Sequence, residues 1–177
     1  MSTVAIIGAG PLGRRLALLA ARAGYRVLLE DVMPANLHHA RETLRQQLGP
    51  EALPMVDFVS TVEDAVREAD LAIDCVPDEL ESKLEIFCLL DRMAPPRTVL
   101  ATPTTRLSIA DLAACTYRSE KCIAMVVEAK DLAEETKGDI LLRLTAETTA
   151  EAKDLVETFW KQIGFTPRFE LDTVASR

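Results

Sequence analysis

Aromatic side chains make up only 5% of the 177 residues, there are two histidines, and the four cysteines have no CxxC spacing. His38 and His39 are adjacent and stand far from every cysteine, so the spacing of a structural zinc site is missing. Cys75, Cys88, Cys115 and Cys122 have apolar neighbours and read as reduced, buried thiols of a cytoplasmic protein. No apolar run reaches the roughly 18 residues of a membrane span. The N-terminus has no basic leader, and its first apolar run meets glycines, so a signal peptide is not expected. Basic residues are also scarce, 20 against 28 acidic ones for a net charge of −8, which argues against nucleic acid or an anionic membrane as partner. What is plentiful is apolar surface, 49% of residues, spread without repeats over 1–177, the length of one domain.

Apolar periodicity sets the order of elements. Residues 3–7 are a β-branched run that ends at glycines, 12–23 repeat at helical spacing, Gly24 stops that helix, and 26–30 form a second apolar run. Pro34 opens a helix closed by Gly49-Pro50, and 57–60 read as a weak strand. Thr61 begins a capped short helix, and 71–76 read as a buried strand. A charged amphipathic helix over 78–93 precedes a strand at 98–101, a helix at 108–114 with Ser108 as its cap, and a strand at 122–127. Residues 128–138 are polar with helical propensity, 139–144 apolar, 148–162 a long amphipathic helix and 166–171 a last strand. Phe159 and Trp160 in that helix are core or contact surface, core being favoured. This alternation predicts an α/β, Rossmann-type doubly wound, mostly parallel sheet with helices on both faces.

The first strand runs straight into Gly8-Ala9-Gly10-Pro11-Leu12-Gly13. A tight strand-to-helix turn points the unsatisfied amides and partial positive charge of a helix N-terminus at a phosphate. Gly8 permits the turn, Gly10 lets backbone approach a pyrophosphate, and Gly13 lets helix and strand pack closely. Asp31, at the end of the second strand, completes the pattern, because a carboxylate there accepts hydrogen bonds from ribose hydroxyls. It also repels a 2′-phosphate, and Val32 brings no positive charge, so NAD is expected rather than NADP. Arg14 and Arg15 stand on the first helical turn, where they either approach phosphates or are solvated.

With these residues in view, the chain resembles the nucleotide-binding domain of the 3-hydroxyacyl-CoA dehydrogenase family. The resemblance rests on IIGAGPLGRRLALLAARAGYRVLLED, on EADLAIDCVPDELESKLEIFCLLDRMAPPRTVLATPTTRLSIADLA, on RSEKCIAM and on GFTPRFELDT. It implies a cofactor border at Val76, Pro77 and Asp78, with Asp78 a shortened substitute for a glutamate and Lys83 the match of a family lysine. The alternative for Asp78 and Lys83 is a solvated helix start. The family's SNTSS segment, beside nicotinamide and substrate, reads Thr102-Pro103-Thr104-Thr105-Arg106 here, so hydroxyls survive at Thr102 and Thr105 while Pro103 has lost an amide donor.

The resemblance also implies what is missing. The family's HFFNP segment, whose histidine removes the hydroxyl proton, matches Val126-Val127-Glu128-Ala129-Lys130, and the glutamate that orients it falls at Leu141 or a neighbour. No residue is therefore assigned as catalytic. Glu128, Lys130 and Asp131 just after the strand at 122–127, and Tyr117 before it, are substitute bases in principle, but a polar run such as EAKDLAEETKGD is usually a solvated helix. His38 and His39 belong to a surface helix on the adenosine side. The expectation is an NAD(H)-binding module or subunit, with a homo-oligomer or a separate helical-domain subunit as possible partners. The alternatives are an active oxidoreductase of fatty acid metabolism or small hydroxy acids, and a scaffold whose turn binds nothing.

Overall fold

The computed structural model describes residues 2–133 and 137–173. β1 (Thr3–Ile7), α1 (Pro11–Arg22) and β2 (Arg26–Glu30) form the first βαβ unit, and α2 (Pro34–Gln47), β3 (Val56–Val59) and α3 (Val62–Val66) follow. β4 (Leu71–Asp74), α4 (Leu80–Met93), β5 (Val99–Pro103), α5 (Ile109–Ala113) and β6 (Cys122–Val126) build the second half. β7 (Asp139–Leu144), α6 (Ala150–Gln162) and β8 (Thr166–Leu171) end it.

The eight strands lie in the order β3-β2-β1-β4-β5-β6-β7-β8. The first six of that order are mutually parallel, β7 is antiparallel to β6, and β8 is parallel to β7. The Rossmann-type expectation is borne out. The chain winds one way from β1 to β3 and the other way from β4 onward, so the topological switch lies between β1 and β4, where ligands of open α/β sheets bind.

Alternate residues of each strand feed two cores. Val4, Ile6, Val27, Leu29, Ile73 and Met125 pack under α1, α2 and α6, whereas Ala5, Ile7, Leu28, Ala72, Leu100 and Ala124 pack under α3, α4 and α5. Burial on both faces explains why the parallel strands read as continuous apolar runs rather than alternations. Phe159 and Trp160 are both buried, as favoured, and pack edge-on to each other.

The caps lie where side-chain chemistry placed them. Thr61 accepts from the Asp64 amide at 3.2 Å and Ser108 from the Asp111 amide at 3.3 Å, each cap worth about 1 kcal/mol. Two expectations need correction. Among the described residues of 128–138, only 129–132 make a helical element, a single 3-10 turn rather than a solvated helix, and Leu132 is fully buried; 134–136 lie outside the described residues. Arg15 of α1 donates to the Leu132 carbonyl, which draws the segment over α1. The cysteines are not all buried either, since Cys88 is exposed on the outer side of α4.

Candidate cofactor-binding site

The glycine turn crosses the switch point. Gly8 has φ +105°, a conformation that disfavours side chains, and a Cβ there would come within 2.9 Å of the Cys75 carbonyl oxygen after β4. A Cβ on Gly13 would lie 1.8 Å from the Gly8 carbonyl oxygen, so helix and turn touch backbone to backbone. Gly10 differs: a Cβ on it would meet nothing within 4 Å. Space is therefore open in front of α1, whose first turn has no side-chain cap and no acidic residue. Bare amides facing open space fit an anion. Arg14 folds back to donate to the Ala9 carbonyl at 3.1 Å. A groove of about 360 Å³ beside the turn is lined by Pro11, Arg14, Arg15, Thr43 and Leu132 among others.

Asp31 sits one residue beyond β2 and ties this turn to α2. Its carboxylate accepts from the Ala9 amide at 2.9 Å, the Met33 amide at 2.8 Å and Asn36 Nδ2 at 3.1 Å. A carboxylate has about four acceptor positions, so capacity remains for one more donor. Val32 and Met33 beside it are exposed, as are His38 and His39.

Across the switch point, Asp78 accepts from the Thr105 amide at 3.2 Å, and its carbonyl accepts from Arg106 Nη2 at 2.7 Å. These bonds clasp the loop after β4 to the loop after β5. Asp78 Oδ1 is buried without a partner, Val76 is half-buried, and Pro77 and Thr105 are exposed. Lys83 is not part of a solvated helix start. It is fully buried, and its Nζ lies 2.6 Å from Asp74 Oδ1. Thr102 is also fully buried. Thr102 Oγ1 and Asp74 Oδ2 are both buried without a hydrogen-bond partner.

Two acids on the same sheet face were not singled out by sequence reasoning. Ile7 pairs with Glu30 on one side and Asp74 on the other, so both acids flank it in one row across the strand ends. Burial pushes the Asp74 carboxyl up, and the Lys83 charge opposes that shift. Glu30 is 2% exposed, and burial, followed by the charge of Asp31, pushes its carboxyl up to about 7. The signal was available: each acid closes an otherwise apolar run, LAID and VLLE.

Toward the antiparallel end of the sheet the row changes character. Val126 stands directly opposite Leu141 across the β6–β7 ladder. By strand alternation both share the face of Ala124 and are half-buried. Beyond them Arg143 pairs with Glu170 at 2.7 Å. Glu128 and Asp131 cap their own 3-10 turn, and Lys130 Nζ lies 2.5 Å from Glu128. Tyr117 is fully exposed.

An open sheet with a glycine turn and an acid at its switch point defines a dinucleotide-binding domain. Residues 3–127 match the family described as 3-hydroxyacyl-CoA dehydrogenase, NAD binding domain, and the chain belongs to that family, with NAD as its cofactor. It is 30% identical over 175 residues to a probable 3-hydroxybutyryl-CoA dehydrogenase of Bacillus subtilis, covering 89% of this chain and 60% of that protein. It is 34% identical over 133 residues to the 5-formyl-3-hydroxy-2-methylpyridine 4-carboxylate 5-dehydrogenase of Mesorhizobium japonicum, covering 69% of this chain and 43% of the relative. The fold is that of (S)-3-hydroxybutyryl-CoA dehydrogenase from Ralstonia eutropha, with TM-score 0.87 at 22% identity over 98% of this chain and 64% of the other. The chain thus spans less than two thirds of the length of these relatives. Among the described residues no helix is long and apolar enough to cross a membrane.

Proposed function

We propose that residues 1–177 form a single NAD(H)-binding domain that works by binding, as a module or subunit, without the histidine–glutamate pair that removes a proton in 3-hydroxyacyl-CoA oxidation. The single observation that carries this reading is the cross-strand pair of Val126 and Leu141, two hydrocarbon side chains at the positions where the resemblance expects that pair.

When bound, NAD supplies hydride acceptance, and the protein supplies position, dryness and a proton acceptor. In this reading the amides after Gly10 bind the pyrophosphate, and Gly8, Ala9, Pro11, Leu12 and Gly13 shape that turn. Asp31 holds the adenosine ribose and rejects a 2′-phosphate. Val76, Pro77, Asp78 and Thr105 border the nicotinamide half. Lys83 acts from beneath, by fixing Asp74 at the end of β4, and the buried Thr102 keeps an unpartnered hydroxyl at the end of β5 for the cofactor side. No side chain at Val126 or Leu141 takes a proton, and loss of a general base costs about 10²–10⁴ in rate. The protein is read as cytoplasmic, in keeping with four free cysteines. A homo-oligomer or a separate helical-domain subunit is the partner this reading allows.

The relatives' names favour a second reading, an NAD-dependent oxidoreductase acting on a hydroxyacyl-CoA or a small hydroxy acid with a base from a partner chain or from Glu128. Calorimetry with NAD, followed by NADH absorbance with a panel of hydroxyacyl-CoAs and short hydroxy acids, separates the readings. Binding without turnover supports the module, and turnover replaces it with the enzyme. No binding at millimolar NAD removes both.

A further inference from the structure

Two cysteines, one on α4 and one just after α5, come close on the sheet face that carries α3, α4 and α5. Cys88 is exposed on α4, and Cys115 is half-buried just after α5. Cys88 Sγ lies 3.8 Å from the Cys115 carbonyl oxygen. Cys115 Sγ lies 3.9 Å from the carbonyl oxygen of Leu84, one helical turn before Cys88. Cys115 Sγ also lies 3.0 Å from the Leu112 carbonyl oxygen, and burial pushes its thiol up to about 12.

The frame around them is rigid. Arg118 is buried, pairs with Asp91 of α4 at 2.8 Å, and donates to the carbonyls of Asp91, Ala94 and Pro95 at the end of that helix. The Tyr117 amide donates to the same Asp91 carboxylate at 3.0 Å. The turn that holds Cys115 is thereby fastened to the helix that holds Cys88. Cys122 is buried and occupied elsewhere, with its Sγ 3.4 Å from the Arg118 carbonyl.

We propose that Cys88 and Cys115 form a reversible oxidation site, which hydrogen peroxide converts to an intramolecular disulfide. The exposed Cys88 loses its proton and attacks a peroxide oxygen; the O–O bond breaks, and the departing hydroxide takes up that proton as water. Cys88 is then a sulfenic acid. Cys115 sulfur attacks Cys88 sulfur, the S–S bond forms, the S–O bond breaks, and the hydroxide leaves with the Cys115 proton as a second water. Two thiols have lost two hydrogens, and the peroxide has been reduced to water. Exposure divides the roles, since solvent-borne peroxide reaches the exposed Cys88 first, while the half-buried Cys115 is placed to resolve the sulfenic acid. The bridge joins positions separated by 27 in sequence and closes a loop that contains β5 and the 104–108 loop. It stands whether or not NAD binds.

The test is hydrogen peroxide treatment of the full chain, alkylation, and peptide mass mapping without reductant. The expected result is a peptide pair linked through Cys88 and Cys115, reversed by dithiothreitol, with a melting midpoint raised by roughly 5–10 °C. Cys88→Ser removes the link, and Cys122→Ser and Cys75→Ser keep it. Cys88 is exposed, so its serine variant folds as the parent does and leaves the test readable. Four results overturn the proposal: a Cys88 sulfinic acid with Cys115 free, a link to Cys122, Cys88-linked dimers, or no change in mass.

Discussion

The two ends of the row of strand termini at the glycine turn are built from opposite materials. At the β1–β2 end the backbone is bare, with an uncapped helix, open space before Gly10, and Asp31 holding the turn from behind. At the β6–β7 end, Val126 faces Leu141. Between them stand the buried Asp74–Lys83 pair and the clasp of Asp78 on Thr105. Binding a dinucleotide needs mainly backbone geometry and one acid, whereas oxidising a hydroxyl also needs a proton acceptor at one position. The first requirement can therefore be met by a chain that does not meet the second.

Variants that damage one end and spare the other test this contrast. Gly13→Ala drives a Cβ into the Gly8 carbonyl and has the largest expected effect, a stability loss of about 5 kcal/mol or more together with loss of NAD binding. Denaturant melts and calorimetry read both. Lys83→Met leaves the Asp74 carboxyl buried and unpaired, at a cost of about 3–5 kcal/mol, much of which Asp74→Leu in the same chain restores. An unchanged midpoint for Lys83→Met would show that the pair does not organise the row.

Glu30 gives the pH dependence. Its carboxyl titrates near 7 in the folded chain and near 4.5 unfolded, so the folded state binds more protons across that interval. Stability from this group is therefore full below about pH 4.5, falls as pH rises to 7 and is level above. Glu30→Gln should stabilise the chain by up to about 3 kcal/mol at pH 8 and change little at pH 4. Equal effects at both pH values would refute the assignment. Asp31→Ala comes next, with NAD affinity reduced about 10–100-fold and the preference over NADP narrowed. The smallest expected effect belongs to Val126→His with Leu141→Glu, which should leave NAD affinity within about twofold, because these positions lie off the pyrophosphate turn.

The glycine turn, Asp31 and the caps at Thr61 and Ser108 were legible because each follows from a local rule. The strand order beyond the first βαβ unit was not, since a parallel crossover leaves no mark in the run of residues it connects. Lys83 was matched to a family lysine, but its burial was not legible for a related reason: the partner that permits it, Asp74, lies nine residues earlier on another element. The polar stretch 128–133 resembled a surface helix because its one anchoring residue, Leu132, is a single apolar side chain that binds through its carbonyl to Arg15. Cys88 and Cys115 looked like separate core thiols, and only the packing of α4 against α5 brings them together.

The most direct test is a structure of the chain with NAD bound. The account predicts the pyrophosphate on the amides that follow Gly10, the adenosine ribose on Asp31, and Val126 with Leu141 on the nicotinamide side with no base at hydrogen-bonding distance. A glycine turn that excludes the cofactor, or Glu128 or any other base turned in to meet the nicotinamide, would contradict it.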